Sequence, residues 1–287
     1  MPDRALLVGI NDYPAAPLRG CVNDVNDVAE FLVNRGRFKE SAIRLLTDAR
    51  ATASAITERL QWLVKDATPG DRLLFHYSGH GVQLPTRDPN GELDGLDEAI
   101  CPVDFDWTTQ RALRDKDFIR LFRPVPKGVH FIWISDSCHS GDLSRRLPTP
   151  PSLLSARSDP LVQTLFTPIR WLGMPADLAW RLRAALAEHI PLATLAGATR
   201  ELNVALITAC RSDQTAADAF FKGRANGALT YMLLKTLSTK DGLSLPIARL
   251  MAKVRAALKK TRFSQEPQLE GARSLFTVPF LGIPEKS

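Results

Sequence analysis

Cysteine is scarce in this chain of 287 residues: there are four, Cys21, Cys101, Cys138 and Cys210, widely scattered and with no C-x-x-C among them. Such spacing offers neither a disulfide framework nor a structural zinc site. The one H-x-x-x-H, His76 and His80, has no cysteine pair to complete a four-ligand set. No apolar run approaches the roughly 20 residues that a membrane helix needs. No charged head with a long apolar stretch precedes the first strand-like segment, so a secretory signal is not expected and a cytoplasmic location, without a membrane partner, is. Aromatic residues make up only 7%, too few for the stacking platforms of a single-strand nucleic-acid binder. There is no internal repeat. What is present is ordinary globular material, 45% hydrophobic and 24% charged, enough for a large core without covalent staples.

The net charge of +6 invites a nucleic-acid reading, but it is unevenly spread. Residues 1–141 carry −3, residues 142–203 carry +2, residues 204–221 carry −1 and residues 222–287 carry +8. Much of the basic excess (Arg249, Lys253, Arg255, Lys259, Lys260, Arg262) flanks one amphipathic stripe, Ile247, Leu250, Met251, Val254 and Leu258, and is expected to form its solvated face. No nucleic-acid partner is expected.

Apolar runs and helical periodicities alternate along the first half. Strands are expected at 5–10, 43–46, 72–77 and 129–134. Helices are expected around Val25 to Leu32, capped by Asn23 or Asp24 and stopped by Gly36, around Ile56 to Val64, and near Lys116 to Phe122. The rhythm breaks at about Asp142 and returns with a strand at 204–209, helices at 227–237 and 246–260, and a closing strand at 274–280. Strands alternating with helices imply an α/β fold with a mostly parallel sheet flanked by helices. The intervening 144–200, with a helix expected at 176–188, is too long for an ordinary connection. Its apolar residues, among them Leu153, Leu165, Phe166, Trp171 and Trp180, indicate partial packing on the body.

Two strand ends carry reactive side chains: Phe75-His-Tyr-Ser-Gly-His-Gly81 and Ile134-Ser-Asp-Ser-Cys-His-Ser-Gly141. Sites in open α/β sheets form at the carboxyl ends of parallel strands, so neighbouring strands would bring His80 and Cys138 together. A thiol beside an imidazole is the minimum apparatus for nucleophilic attack on a carbonyl. The backbone N–H groups of Gly81 and Cys138 are candidates for an oxyanion hole. The bland alternative is a buried cysteine and a satisfied core histidine.

The motifs Tyr77-Ser-Gly-His-Gly81 and Asp136-Ser-Cys-His-Ser-Gly141 resemble the histidine and cysteine motifs of metacaspases, which are caspase-like cysteine peptidases. Further segments resemble the same family: Leu6 to Tyr13, Leu18-Arg-Gly-Cys-Val-Asn-Asp24, Asp94 to Asp104, Ile207-Thr-Ala-Cys-Arg-Ser212 and Gln265-Glu-Pro-Gln268. The resemblance implies one caspase-like peptidase domain over 1–287, with a central mostly parallel six-stranded sheet. It divides into a large-subunit-like part (1–143), a helical linker or insertion (144–203) and a small-subunit-like part (204–287).

By that resemblance Cys138 is the nucleophile, His80 the general acid and base, and the reaction peptide hydrolysis through a thioester. Asp24 and Asp136, with Ser78 and Cys21 on the wall, would form the primary pocket. Two carboxylates there favour a guanidinium or ammonium group, so cleavage after Arg or Lys is expected, with protein substrates as partners. The bland readings are a helix cap for Asp24 and a strand-end hydrogen bond for Asp136. Arg145, Arg146, Arg157, Arg170, Arg181, Arg183 and Arg200 in the linker are candidate processing sites, cut by the enzyme itself or by an upstream protease, which would make the intact chain a zymogen.

Several metacaspases use calcium, and the resemblance places Asp97 and Asp117 near ligand positions. Lys116 and Arg145 stand where acidic ligands would fall, so no cofactor is expected. Cys101 and Cys210 read as core, His139 as structural and His76 as making a local polar contact; His130 and His189 carry no signal. A catalytically silent scaffold with the same fold is the competing class, and Cys138→Ala distinguishes it.

Overall fold

The computed structural model describes residues 3–85, 96–108, 110–138, 170, 172, 202–211 and 214–282. The run Arg4-Ala-Leu-Leu-Val-Gly9 has too few polar side chains to face water. It lies in strand β1 (Asp3–Gly9), whose second half is fully buried. On either side of β1 lie β2 (Ile43–Thr47) and β3 (Arg72–Ser78). Beyond β3 come β7 (His130–Asp136), β8 (Ala205–Thr208) and β11 (Gln268–Gly271), in the order β11-β8-β7-β3-β1-β2. All neighbours pair in parallel except the antiparallel β11 at the edge.

Alternation along each strand divides the core between the two faces. Leu7, Leu74, Ile132, Ile134 and Ile207 pack with helices α1 (Cys21–Asn34), α4 (Ala228–Leu237) and α5 (Ile247–Lys260). Leu6, Val8, Phe75, Phe131, Trp133 and Leu206 pack with α2 (Ala53–Val64) and α3 (Asp115–Phe122). On this second face the Trp133 ring lies 4.5, 5.5 and 5.8 Å from Phe118, Phe122 and Phe75, a cluster of tilted and edge-on rings that pins α3 to the sheet. The stripe on α5 is buried as its spacing predicts, and Arg249, Lys253, Lys259, Lys260 and Arg262 lie exposed.

The register decides where the chemistry falls. Ser78, the last residue of β3, pairs with Asp136, the last of β7. The segments carrying His80 and Cys138 therefore leave the sheet side by side at its carboxyl edge, as expected.

Some elements depart from expectation. Helix α1 begins at Cys21 with Gly20 as its N-cap, so neither Asn23 nor Asp24 caps it. A Cβ on Gly20 would lie 2.7 Å from the Asn226 Cα, so glycine there admits a hairpin against the helix start. That hairpin, β9 (Asp218–Phe221) and β10 (Arg224–Gly227), was not expected. Neither was the small antiparallel sheet β4 (Gly81–Pro85), β5 (Leu96–Ile100) and β6 (Leu113–Arg114). The closing strand expected at 274–280 is instead β11, ended by Gly271 at φ 100°. It is followed by the one-turn helix α6 (Arg273–Phe276). Pro279 has no N–H for a ladder, so the apolar run Ser274 to Phe280 packs without joining the main sheet. The helix expected at 176–188 lies outside the described residues.

Candidate active site

Asp24, Ser78 and Asp136 converge beneath the carboxyl edge of β3 and β7, all fully buried. Each is held by donors. Asp24 Oδ1 accepts from Asn226 Nδ2 at 3.0 Å and from the Gly227 amide at 2.9 Å, and its Oδ2 accepts from Ser78 Oγ at 2.7 Å. Asp136 Oδ2 accepts from the Thr230 amide at 2.8 Å and hydroxyl at 2.7 Å. Because the Thr230 proton goes to Asp136, the Thr230 oxygen accepts from His76 Nε2 at 3.0 Å. His76 thus serves a partner 154 residues away rather than a local one, and burial depresses its pKa to about 3.

The pocket has a third carboxylate that the sequence reading missed. Asp218 opens β9 and accepts from the amides of Arg19 at 2.8 Å and Gly20 at 3.0 Å. Its signal was a lone acid within Ala216-Ala-Asp-Ala-Phe-Phe221, a run too apolar to place a charge in without a purpose. Cys21 lies against this cluster, and burial pushes its thiol pKa far up.

Arg170, one of the seven linker arginines, fills the pocket and is wholly buried. Its Nη2 lies 2.8 Å from Asp24 Oδ2 and 2.9 Å from Asp218 Oδ1. Its Nη1 donates to Ser78 Oγ at 2.6 Å and the Asp136 carbonyl at 3.0 Å, and lies 3.4 Å from Asp136 Oδ1. Burial alone would favour loss of its proton, but Cys21 and the three carboxylates more than offset this and hold the guanidinium charged. Burial in turn raises Asp24 to about 6, against the pull of Arg170. A Cβ on Gly227 would lie 2.5 Å from Arg170 Nη1, so only glycine leaves the guanidinium room.

The backbone of Arg170 is gripped as firmly. Its N–H donates to the Ala216 carbonyl at 3.1 Å. Its carbonyl accepts from both the Gly81 and Cys138 amides at 3.1 Å, and the Leu172 amide donates to the Gly81 carbonyl at 3.1 Å. Two N–H groups converging on one carbonyl oxygen are an oxyanion-hole arrangement. His80 stands beside it. Its Nε2 lies 2.6 Å from the Ala16 carbonyl, which can only accept, so Nε2 carries the proton and Nδ1 is the basic nitrogen. Nδ1 has no hydrogen-bond partner among the described residues, yet the Arg170 carbonyl is close enough to favour the protonated ring. Burial is the larger effect and lowers His80 to about 4. The Cys138 sulfur is turned toward the Ala216 amide and lies 3.6 Å from Cys210 Sγ. Cys210 is thus not core alone, as the sequence suggested; it reaches the site. Cys101 does lie in the core, its carbonyl accepting from Tyr13 and Tyr77. His130 bonds the Phe280 carbonyl at 2.8 Å. The candidate processing residues Arg145, Arg146, Arg157, Arg181, Arg183 and Arg200, with His139 and His189, lie outside the described residues.

The residues do not fit a calcium ion at Asp97. Its fully buried carboxylate meets Arg114 Nη1 at 2.6 Å through Oδ2 and Lys116 Nζ at 2.9 Å through Oδ1. Asp117, the other expected ligand, instead accepts from the Arg114 amide at 3.2 Å, at the start of α3. Two side-chain cations on one carboxylate repel a third positive charge.

The mostly parallel six-stranded sheet flanked by helices is the caspase-like α/β fold. A solved protein from Geobacter sulfurreducens shares it, with a TM-score of 0.66 and 23% identity, covering 99% of this chain and 100% of that one. Residues 3–145 match the family described as metacaspase, peptidase C14 domain. Metacaspase-1B of Aspergillus terreus is 34% identical over 292 residues, 95% of this chain and 75% of the relative. Metacaspase-1B of Aspergillus oryzae is also 34% identical, over 96% of this chain and 68% of the relative. The chain belongs to the metacaspase family and is a cysteine peptidase.

Proposed function

We propose that this peptidase cleaves proteins after Arg or Lys, with Cys138 as nucleophile and His80 as general acid and base, and that the intact chain is a zymogen blocked by its own Arg170. The observation that carries this reading is the pose of Arg170: guanidinium among three carboxylates, carbonyl on the Gly81 and Cys138 amides, N–H on Ala216. That is how an arginine substrate would lie. Carboxylates select a cationic side chain and repel an acidic one.

In the reaction, His80 Nδ1 takes the proton of the Cys138 thiol, and the sulfur swings from Ala216 toward the carbonyl carbon and attacks as thiolate. The oxygen gains charge against the two amides, and His80 Nδ1 delivers a proton to the leaving amine. Water then attacks the thioester, His80 takes its proton, and the acid product leaves with the thiolate restored. The Ala16 carbonyl holds the imidazole in the tautomer this needs. No step uses a metal ion.

In the closed state the bond after Arg170 is presented but the sulfur is turned aside. Of the seven linker arginines, Arg170 is the one proposed for self-processing. A fluorogenic peptide series tests the specificity: hydrolysis after Arg or Lys is expected, abolished in Cys138→Ala. Faster cleavage after Asp than after Arg would overturn it.

A further inference from the structure

Cys210 has no part in peptide hydrolysis, yet its sulfur stands 3.6 Å from that of Cys138 and both thiols are buried and free. Their strands explain the approach. β7 and β8 are parallel neighbours with Ser135 opposite Thr208, and the Ala209 amide extends the ladder to the Ser135 carbonyl at 3.0 Å. Carried past the strand ends, this register sets Cys210 opposite Ser137, one residue short of Cys138. Strands about 4.8 Å apart with a rise of about 3.3 Å per residue put the Cα atoms about 5.8 Å apart, inside the roughly 4.4–6.8 Å that a disulfide spans. The sulfurs need close by only about 1.5 Å to reach a bond of about 2.0 Å. Cys210 lies in the loop leaving β8, its thiol also near the Gln214 carbonyl at 3.3 Å.

We propose that Cys210 is the resolving thiol of Cys138: a peroxide converts the pair to a Cys138–Cys210 disulfide, which silences the nucleophile reversibly and spares it from further oxidation. The Cys138 thiolate attacks a peroxide oxygen and the O–O bond breaks. The sulfur becomes a sulfenic acid, and the departing oxygen leaves as water or an alcohol. Cys210 then attacks the Cys138 sulfur, the S–O bond breaks, and the hydroxide leaves as water with the Cys210 proton. Two thiols lose two electrons and two protons, and the peroxide takes up both. A dithiol reductant reverses the change by exchange. In the intact chain the Arg170 segment covers Cys138, so the processed enzyme is the form that responds. The assignment rests on Cys138 being the reactive thiol of the proposed function.

The test treats processed enzyme with hydrogen peroxide, alkylates the remaining thiols, and maps peptides without reduction. A Cys138–Cys210 cross-linked peptide lighter by two hydrogens is expected. Activity should fall as it accumulates and return with dithiothreitol. In Cys210→Ala, and in Cys210→Ser as a second check on folding, hydrolysis before peroxide is retained. Peroxide should then carry Cys138 to the sulfinic acid, with activity lost beyond recovery. Cys138 sulfinic acid in the wild type without the disulfide, or equal recovery in the Cys210 variants, would overturn the proposal. A disulfide forming in a chain that hydrolyses no peptide would support the thiol pair while refuting the proposed peptidase specificity.

Discussion

Replacing Arg170 by Ala removes a guanidinium that touches three buried carboxylates at 2.8, 2.9 and 3.4 Å, and donates to the Ser78 hydroxyl and the Asp136 carbonyl. Removing one partner from a buried ionic cluster costs about 3–5 kcal/mol, because the remaining charges stay desolvated. In the proposed zymogen Arg170 leaves the pocket and water enters, so the cost falls on the closed form rather than on the fold. Each 1.4 kcal/mol or so is a factor of ten, so the closed form loses at least about a hundredfold of its advantage over the open one. The assay is the initial rate on a fluorogenic Arg peptide, with the chain shown intact by gel. Wild type should begin with a lag that ends as the linker is cut. Arg170→Ala should stay a single chain, show no lag, and start at a rate at least about tenfold above intact wild type. An uncut variant as silent as the uncut wild type would refute the view that Arg170 blocks the site.

Asp218→Asn keeps an oxygen for the Arg19 and Gly20 amides but loses the charge facing the substrate guanidinium. A hydrogen bond to a charged group contributes about 1.5–3 kcal/mol, so KM for Arg peptides should rise roughly tenfold or more with a smaller change in kcat; an unchanged KM would remove Asp218 from the pocket. Burial holds Asp24 at about 6, so the pocket loses a charge as the pH falls through that value. KM for Arg peptides should therefore rise as the pH falls towards about 6, and a pH-independent KM would contradict the role given to Asp24. With Arg114 and Lys116 on Asp97, a calcium chelator should leave peptide hydrolysis unchanged, and strict dependence on added calcium would be inconsistent with that arrangement.

The sheet was readable because a strand buried on both faces must be apolar at its centre, as β1, β3 and β7 are. That the segments carrying His80 and Cys138 leave the sheet side by side followed from two reactive segments ending parallel strands. The hairpin β9–β10 was not readable, since Asp218, Arg224 and Asn226 break any alternation. Two of those polar residues are there for the pocket: Asp218 bonds Gly20 and Arg170, and Asn226 bonds Asp24. Asp24 looked like a helix cap because it lies in the first turn of α1; its true partners, Asn226 and Gly227, are 202 and 203 residues further along the chain. The sequence offered seven linker arginines as equals. Nothing local distinguishes Arg170, because what singles it out is a pocket assembled from α1, β3, β7 and β9.

The most direct test of the account is to identify the new amino terminus formed when purified intact protein is incubated alone. The account predicts a chain beginning at Trp171, formed by the wild type and absent from Cys138→Ala. Cleavage only at other linker arginines, or the same cut in Cys138→Ala, would contradict it.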